Sequence, residues 1–234
     1  MTMPRYAIYC APQEDTPWWS IWSQWLGRDA KARQVLIPPK LVGIDPLVFK
    51  ALTKDPCRYG LHATIKAPYH LNAQVSFEDM RGKIKELAQV QKPFVLELGF
   101  EQLNHFYALT PVGDPQTINQ LAFEVVRELD AFRMPLNEKD LARRRSSGLT
   151  AKEDEMLLTW GYPFVAECFR FHLSLTGDLK GVDEQTQQLL RSEILTRLDE
   201  LQHTPFVVDS LCLFEEPEAG ADFFMLERFS FNSV

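Results

Sequence analysis

Cysteine is scarce and scattered. Cys10, Cys57, Cys168 and Cys212 lie far apart with no Cys-x-x-Cys spacing, which points to free thiols in a cytoplasmic protein. The opening Met-Thr-Met-Pro-Arg-Tyr lacks the basic-then-apolar order of a secretory signal. No apolar run approaches the ~18 residues needed to span a bilayer, so no membrane role is expected. A basic surplus is missing as well. The formal net charge of −7 argues against a protein that grips long nucleic acid through its general field, and leaves room for a small anionic ligand held by a local cluster of donors. No proline- or serine-rich linker divides the chain.

What is abundant is apolar residues, 45% of 234 positions, enough for one domain or two closely joined lobes. The chain is organised around Tyr59-Gly60-Leu61-His62-Ala63-Thr64-Ile65-Lys66, because a near-copy recurs as Phe169-Arg170-Phe171-His172-Leu173-Ser174-Leu175-Thr176. In a β-strand, residues i and i+2 share a face. The first stretch then sorts Arg58, Gly60, His62, Thr64 and Lys66 onto one face and Tyr59, Leu61, Ala63 and Ile65 onto the other. The second sorts Arg170, His172, Ser174 and Thr176 against Phe169, Phe171, Leu173 and Leu175. A single His-x-Thr on an alternating strand arises by chance; a duplicated one with duplicated flanks is an internal repeat.

The flanks do repeat. After the first motif come a helix from Ser76 through Met80, Ile84 and Leu87, a strand at Pro93-Phe94-Val95 and a return strand at Phe106-Tyr107-Ala108-Leu109. After the second come a helix from Asp183 through Leu190, Ile194 and Leu198, a strand at Pro205-Phe206-Val207 and a return strand at Phe223-Phe224-Met225-Leu226. The histidines are 110 positions apart and the two prolines 112. The expected fold class is therefore α+β: residues 1–234 as a single bilobal domain, with repeats over about 55–112 and 162–230 and an inserted helical segment over about 115–160. Each lobe is an antiparallel sheet with helices outside, and the lobes face each other across a central cleft.

Taken in order, residues 5–11 read as a first strand, and Pro17 to Leu26 as a helix carrying Trp18, Trp19, Trp22 and Trp25, whose helical spacing marks them as core. Residues 40–53 suggest a short helix that ends before Asp55-Pro56. Residues 118–132 read as an amphipathic helix. Arg143-Arg144-Arg145 reads as a solvated charge run. Thr150 with Glu153 forms a capping box for the next helix, which Gly161-Tyr162-Pro163 ends. His70, His105 and His203 are expected to serve turn or surface hydrogen bonds, with His105 near the cleft.

Imidazole, with an unperturbed pKa of ~6.5, gives or takes a proton near neutral pH. Two of them, one neutral and one protonated, can act as base and acid in one displacement, and hydroxyls two residues on can donate to an oxyanion. His62, Thr64, His172 and Ser174 are the expected catalytic set. Lys66, Arg170, Tyr9, Tyr107 and Tyr162 are the expected substrate-binding residues. Two histidines without a carboxylate or cysteine on either strand make a poor metal site, so no metal or cofactor is expected.

At these residues the chain resembles the 2H phosphoesterase superfamily, marked by two His-x-Thr/Ser motifs in pseudo-symmetric lobes. Within it, Arg58 to Pro68 and Gly161-Tyr162-Pro163 to His172 most resemble the bacterial family of unknown function, DUF1045, that accompanies phosphonate-utilisation operons. The resemblance implies a metal-independent cyclic phosphodiesterase acting on a small anionic phosphodiester, with the phosphonate link suggesting a ribosyl cyclic phosphate. Two alternatives stand beside it: an RNA-end 2′,3′-cyclic phosphodiesterase or 2′-5′ ligase, and a non-enzymatic nucleotide-binding module. Basic residues extending beyond the pocket, with Arg143 to Arg145 the first place to look, would favour the RNA-end enzyme.

Overall fold

The computed structural model describes residues 3–232; the outermost two positions at each end of the expected 1–234 domain lie outside the described residues. The elements run β1 (Arg5–Cys10), α1 (Pro17–Leu26), β2 (Arg28–Asp29), β3 (Gln34–Val35), α2 (Pro46–Tyr59), β4 (Ala63–His70), α3 (Phe77–Gln89), β5 (Phe94–Leu96), β6 (Leu98–Leu103) and β7 (Phe106–Pro111). They continue with α4 (Gln116–Glu128), α5 (Glu138–Arg145), α6 (Ala151–Trp160), β8 (Leu173–Ser174), α7 (Glu184–Glu200), β9 (Phe206–Val208), β10 (Ser210–Glu216) and β11 (Phe224–Ser230).

The fold is α+β, with helices packed on a large antiparallel sheet. Its seven strands run β11-β10-β1-β4-β8-β7-β6. The order shows that the two repeats exchange their hairpins. The motif strand β4 joins, through β1, the β10–β11 hairpin of the second repeat, whereas β8 joins the β6–β7 hairpin of the first. Helix α3 packs on β10 and β11, and α7 on β6, so each helix follows the exchange. The equivalent Pro-Phe-Val strands, β5 and β9, pair with each other, Val95 opposite Val207. Among the described residues one Cα pair, Ala63 with Leu173, joins the two halves of the large sheet directly.

Local chemistry explains the elements. Ser76 and Thr150 close capping boxes on α3 and α6, and Asp183 caps α7. Helix α1 begins with Pro17 and ends at left-handed Gly27, φ 78°. Its four tryptophans are buried in the core, with the indole of Trp25 donating to Leu175 O at 2.8 Å and that of Trp18 to Thr204 O at 2.7 Å.

Helix α2 departs from the sequence reading. It continues through Asp55-Pro56 to Tyr59, so Arg58 and Tyr59 are its last turn rather than the start of the motif strand. Proline at 56 has no N–H to give the carbonyl four residues back. That carbonyl, Leu52 O, instead accepts the Gly177 N–H at 2.6 Å, which fastens α2 to the segment following the second motif.

Candidate active site

Each motif histidine stands one residue before a strand. Gly60 ends α2 with φ +73°, a conformation a side chain resists, and a Cβ there would sit 2.5 Å from the Cβ of Ala30. The chain then enters β4, and β4 lies antiparallel to β8 with Ala63 opposite Leu173. Continuing that register places His62 across from Ser174 and Thr64 across from His172. The two motifs therefore cross, and each histidine faces the other motif's hydroxyl. Ala63 and Leu173 point into the core on the other side. The histidines are diagonal neighbours, for which the spacing in such a pair is about 7–8 Å, room for a phosphate between the rings.

The two imidazoles are held alike. His62 Nδ1 lies 2.9 Å from Gly60 O, and His172 Nδ1 lies 2.8 Å from Arg170 O, in each case the carbonyl two residues back. A carbonyl only accepts, so Nδ1 carries the proton and Nε2 is left with its lone pair. Burial pulls the pKa of His62 down to about 4, opposed by the Gly60 bond and reinforced by His172. Burial also lowers His172, again opposed by its backbone bond. Both rings are neutral near pH 7.

These groups line two adjoining cavities. One, of about 510 Å³, is bounded by His62, Thr64, Ser174, Tyr9, Arg5 and Arg144. The other, of about 430 Å³, has His172 at its edge and walls of Leu103, Val126, Trp160, Phe164 and Phe169. Thr64, Phe106 and Tyr162 line both, so the cavities share a wall, with His62 on the larger and His172 on the smaller.

The expected substrate-binding residues are distributed unevenly. Tyr9, opposite Thr64 on β1, is fully buried with its ring 4.2 Å from that of His62 and its hydroxyl unpartnered. Tyr162 lines both cavities. Lys66 lines the smaller cavity, but its ammonium is not a free cation. The register between β1 and β4 shifts between Ile8 and Tyr9, and the Lys66 ammonium runs under α4 to donate to Val126 O at 3.1 Å, with Asp130 4.0 Å away. Burial lowers its pKa to about 8, against the opposing pull of Asp130. Arg170, at the rim of the second cavity, is paired outward with Glu101. Tyr107 is a correction: it lines neither cavity, because on β7 the cleft side belongs to Phe106, and its hydroxyl donates to Gln187 O on α7 at 3.3 Å.

Sequence reasoning does not name Arg5 or Tyr59 as cleft residues, whereas the Arg143 to Arg145 run, the first place to look for basic residues, supplies Arg143 and Arg144 to the larger cavity. Arg5 and Arg58 both pair with the buried carboxylate of Glu216, and the Tyr59 ring stacks 5.4 Å from that of His62. His105 also lines the larger cavity. Among the described residues no group of three or more His, Cys, Asp or Glu side chains is placed to hold a metal, and no helix is long and apolar enough to cross a membrane.

Fold and site together define an α+β protein whose duplicated His-x-Thr/Ser motifs meet on adjacent strands between two cavities that share a wall. The chain belongs to the family described as "Protein of unknown function (DUF1045)", whose model matches residues 64–224, and this is the family its motif flanks resemble. It is 34% identical over 233 residues to the "Ribose 1,5-bisphosphate phosphokinase PhnN" of Janthinobacterium sp. (strain Marseille), covering 99% of this chain and 51% of that protein. The protein of the same name from Laribacter hongkongensis (strain HLHK9) is 37% identical over 220 residues, covering 94% and 50%. The chain thus spans about half the length of the curated relatives it matches. Among solved structures, a conserved protein of unknown function from Agrobacterium tumefaciens str. C58 is similar over 98% of this chain and 87% of its own, at 10% identity and a TM-score of 0.45. A crystal structure described as a phosphoesterase is similar over 100% of both chains, at 13% identity and a TM-score of 0.42.

Proposed function

We propose that this chain is a metal-independent phosphodiesterase of the cyclic type, acting on a small phosphodiester by proton transfer between His62 and His172. The observation that carries the reading is the crossed pair of motifs, with both Nδ1 atoms committed to backbone carbonyls and both Nε2 atoms left to the cleft. His62, the more strongly depressed of the two, is the base: its Nε2 takes a proton from water as the water oxygen bonds to phosphorus. His172, once an anion between the rings has drawn a proton onto it, returns that proton to the sugar oxygen as the phosphorus–oxygen bond breaks. Thr64 and Ser174 donate to the oxygens where charge collects. The relatives' name specifies a ribose carrying two phosphates, which supports a ribosyl cyclic phosphate as the substrate.

A second reading, a nucleoside 2′,3′-cyclic phosphate or RNA end, is favoured by the aromatic wall of the smaller cavity, where Trp160, Phe164 and Phe106 could receive a base. Hydrolysis of ribose 1,2-cyclic phosphate and of nucleoside 2′,3′-cyclic phosphates, with chelator present, separates the two. Replacing either histidine with alanine is expected to lower turnover by about 10²-fold or more. Near-normal rates in either variant would sink the acid–base pair, and activity lost to chelator and restored by added metal would sink metal independence.

A further inference from the structure

Apolar side chains project from one stretch that the candidate active site does not use. Among the described residues twelve large hydrophobic side chains are exposed, and five of them, Val35, Ile37, Val42, Leu47 and Val48, fall within residues 35–48. The stretch is nonetheless anchored. Leu41, Ile44 and Phe49 are buried in the core, and half-buried Leu36 sits between exposed Val35 and Ile37. Val42 stands out at 87% exposure between buried Leu41 and Ile44, and Leu47 at 77% in the first turn of α2. Single exposed aliphatic residues are ordinary, but a run of them on one anchored segment is not.

The same stretch holds the positive charge that the chain otherwise lacks. Residues 31–54 carry five Lys or Arg and one Asp, a surplus of +4 in a chain of net −7, so the other residues sum to −11. Lys31, Arg33, Lys40, Lys50 and Lys54 are all exposed, and none has a carboxylate within 4.0 Å among the described residues. Lys50 and Lys54 follow Leu47 at helical spacing, so apolar and basic groups share one outer face of α2.

We propose that residues 31–54 form a docking surface for an anionic lipid bilayer, the five aliphatic side chains entering the headgroup layer and the five cations meeting lipid phosphates. The expectation of no membrane role rested on the lack of a spanning segment, and lying on a bilayer needs none. Composition favours lipid over a protein partner. Protein interfaces are centred on Tyr, Trp and Arg in fitted pockets and are poor in Lys, whereas this surface offers separate aliphatic side chains and four lysines. The acidic remainder of the molecule is repelled by the same bilayer, which orients this face towards it. The contact leaves the larger cavity free, because Tyr59, which lines it, lies at the other end of α2, roughly 18 Å along the axis from Leu47.

The probes are vesicles of phosphatidylcholine with and without phosphatidylglycerol, sedimented with the protein. Binding to the phosphatidylglycerol vesicles is expected at low salt, at least about tenfold stronger than to phosphatidylcholine alone, and weaker as salt rises. Val42→Asp/Leu47→Asp should lower it at least about tenfold, as should Lys40→Glu/Lys50→Glu. Leu158→Asp, which replaces an exposed apolar side chain on α6 outside the stretch, should leave it unchanged. Every side chain replaced is exposed, so circular dichroism should show native folding throughout. No binding to the anionic vesicles, equal binding to both kinds, or a loss in Leu158→Asp that matches the double variants would overturn the proposal. Capture of soluble polyglutamate without binding to vesicles would assign the surface to an acidic protein and overturn it as well.

Discussion

Replacing His62 with glutamine removes a titrating group from the cleft while keeping a polar side chain of similar size. The native imidazole is held neutral, its pKa drawn from 6.5 to about 4, chiefly by burial. A base depressed in this way is protonated first in the unfolded chain. Its contribution to stability is therefore intact above the unfolded pKa and is lost as pH falls from about 6.5 towards 4. For one group with these two values, the linkage amounts to about 2 kcal/mol between pH 7.5 and pH 5. In a chain of 234 residues that corresponds to roughly 4–8 °C in Tm. Urea unfolding followed by tryptophan fluorescence at pH 7.5, 6 and 5 would measure it. The fall in stability shared by both proteins belongs to carboxylates such as Glu216, whose pKa is lowered in the fold although its burial opposes the shift, chiefly by its hydrogen bond to Arg5. The excess fall in the native protein belongs to His62. An excess below about 0.5 kcal/mol would show that the ring is hydrated and refute the picture of a neutral, desolvated base.

Glu216→Gln should cost about 3 kcal/mol by chemical denaturation, because it leaves Arg5 and Arg58 without the buried charge they share; a loss under 1 kcal/mol would mean the arginines are solvated. Gly60→Ala should destabilise by about 2 kcal/mol or more, since positive φ and a 2.5 Å approach to Ala30 both oppose a side chain. It should also depress turnover by displacing the carbonyl that orients His62, and unchanged kinetics would count against that orienting role. In the native protein the depressed Lys66 makes stability rise with pH between about 8 and the unfolded value of 10.5. Lys66→Met should abolish that rise, read from urea melts at pH 8 and 10; an identical rise in the variant would place the titration elsewhere.

The residues that make local structure were legible in the chain. The bounds of α1, the capping box of α6 and the duplicated order of helix and strands all follow from patterns spanning a few neighbours. The end of α2 did not, because Pro56 signals a break by local rules and the compensation for its missing N–H comes from Gly177, far along the chain. Parity brings His62, Thr64 and Lys66 to the cleft side, but the groups that occupy the Lys66 ammonium, Val126 O and Asp130, come from α4 and the turn after it, far along the chain. Tyr107 was taken by type rather than by side of the strand; Phe106, one residue earlier, is the one at the cleft. Arg144 read as one of three equal charges. Its difference from Arg143 and Arg145 depends on Asp140, Asp154 and Tyr162, which only the fold brings to α5.

The exchanged hairpins bear on how the molecule assembles. Tyr9 pairs with Cys212 across most of the chain's length, and β4 and β8 meet at one register point, so neither repeat completes a sheet from its own strands. Closing such long loops before their contacts form makes for slow, late-committing folding. A cut in the turn at Gly113 would yield two fragments, each carrying one motif histidine and an unfinished sheet edge. Mixed together, such fragments should regain structure only as a pair, and with it the crossed motifs.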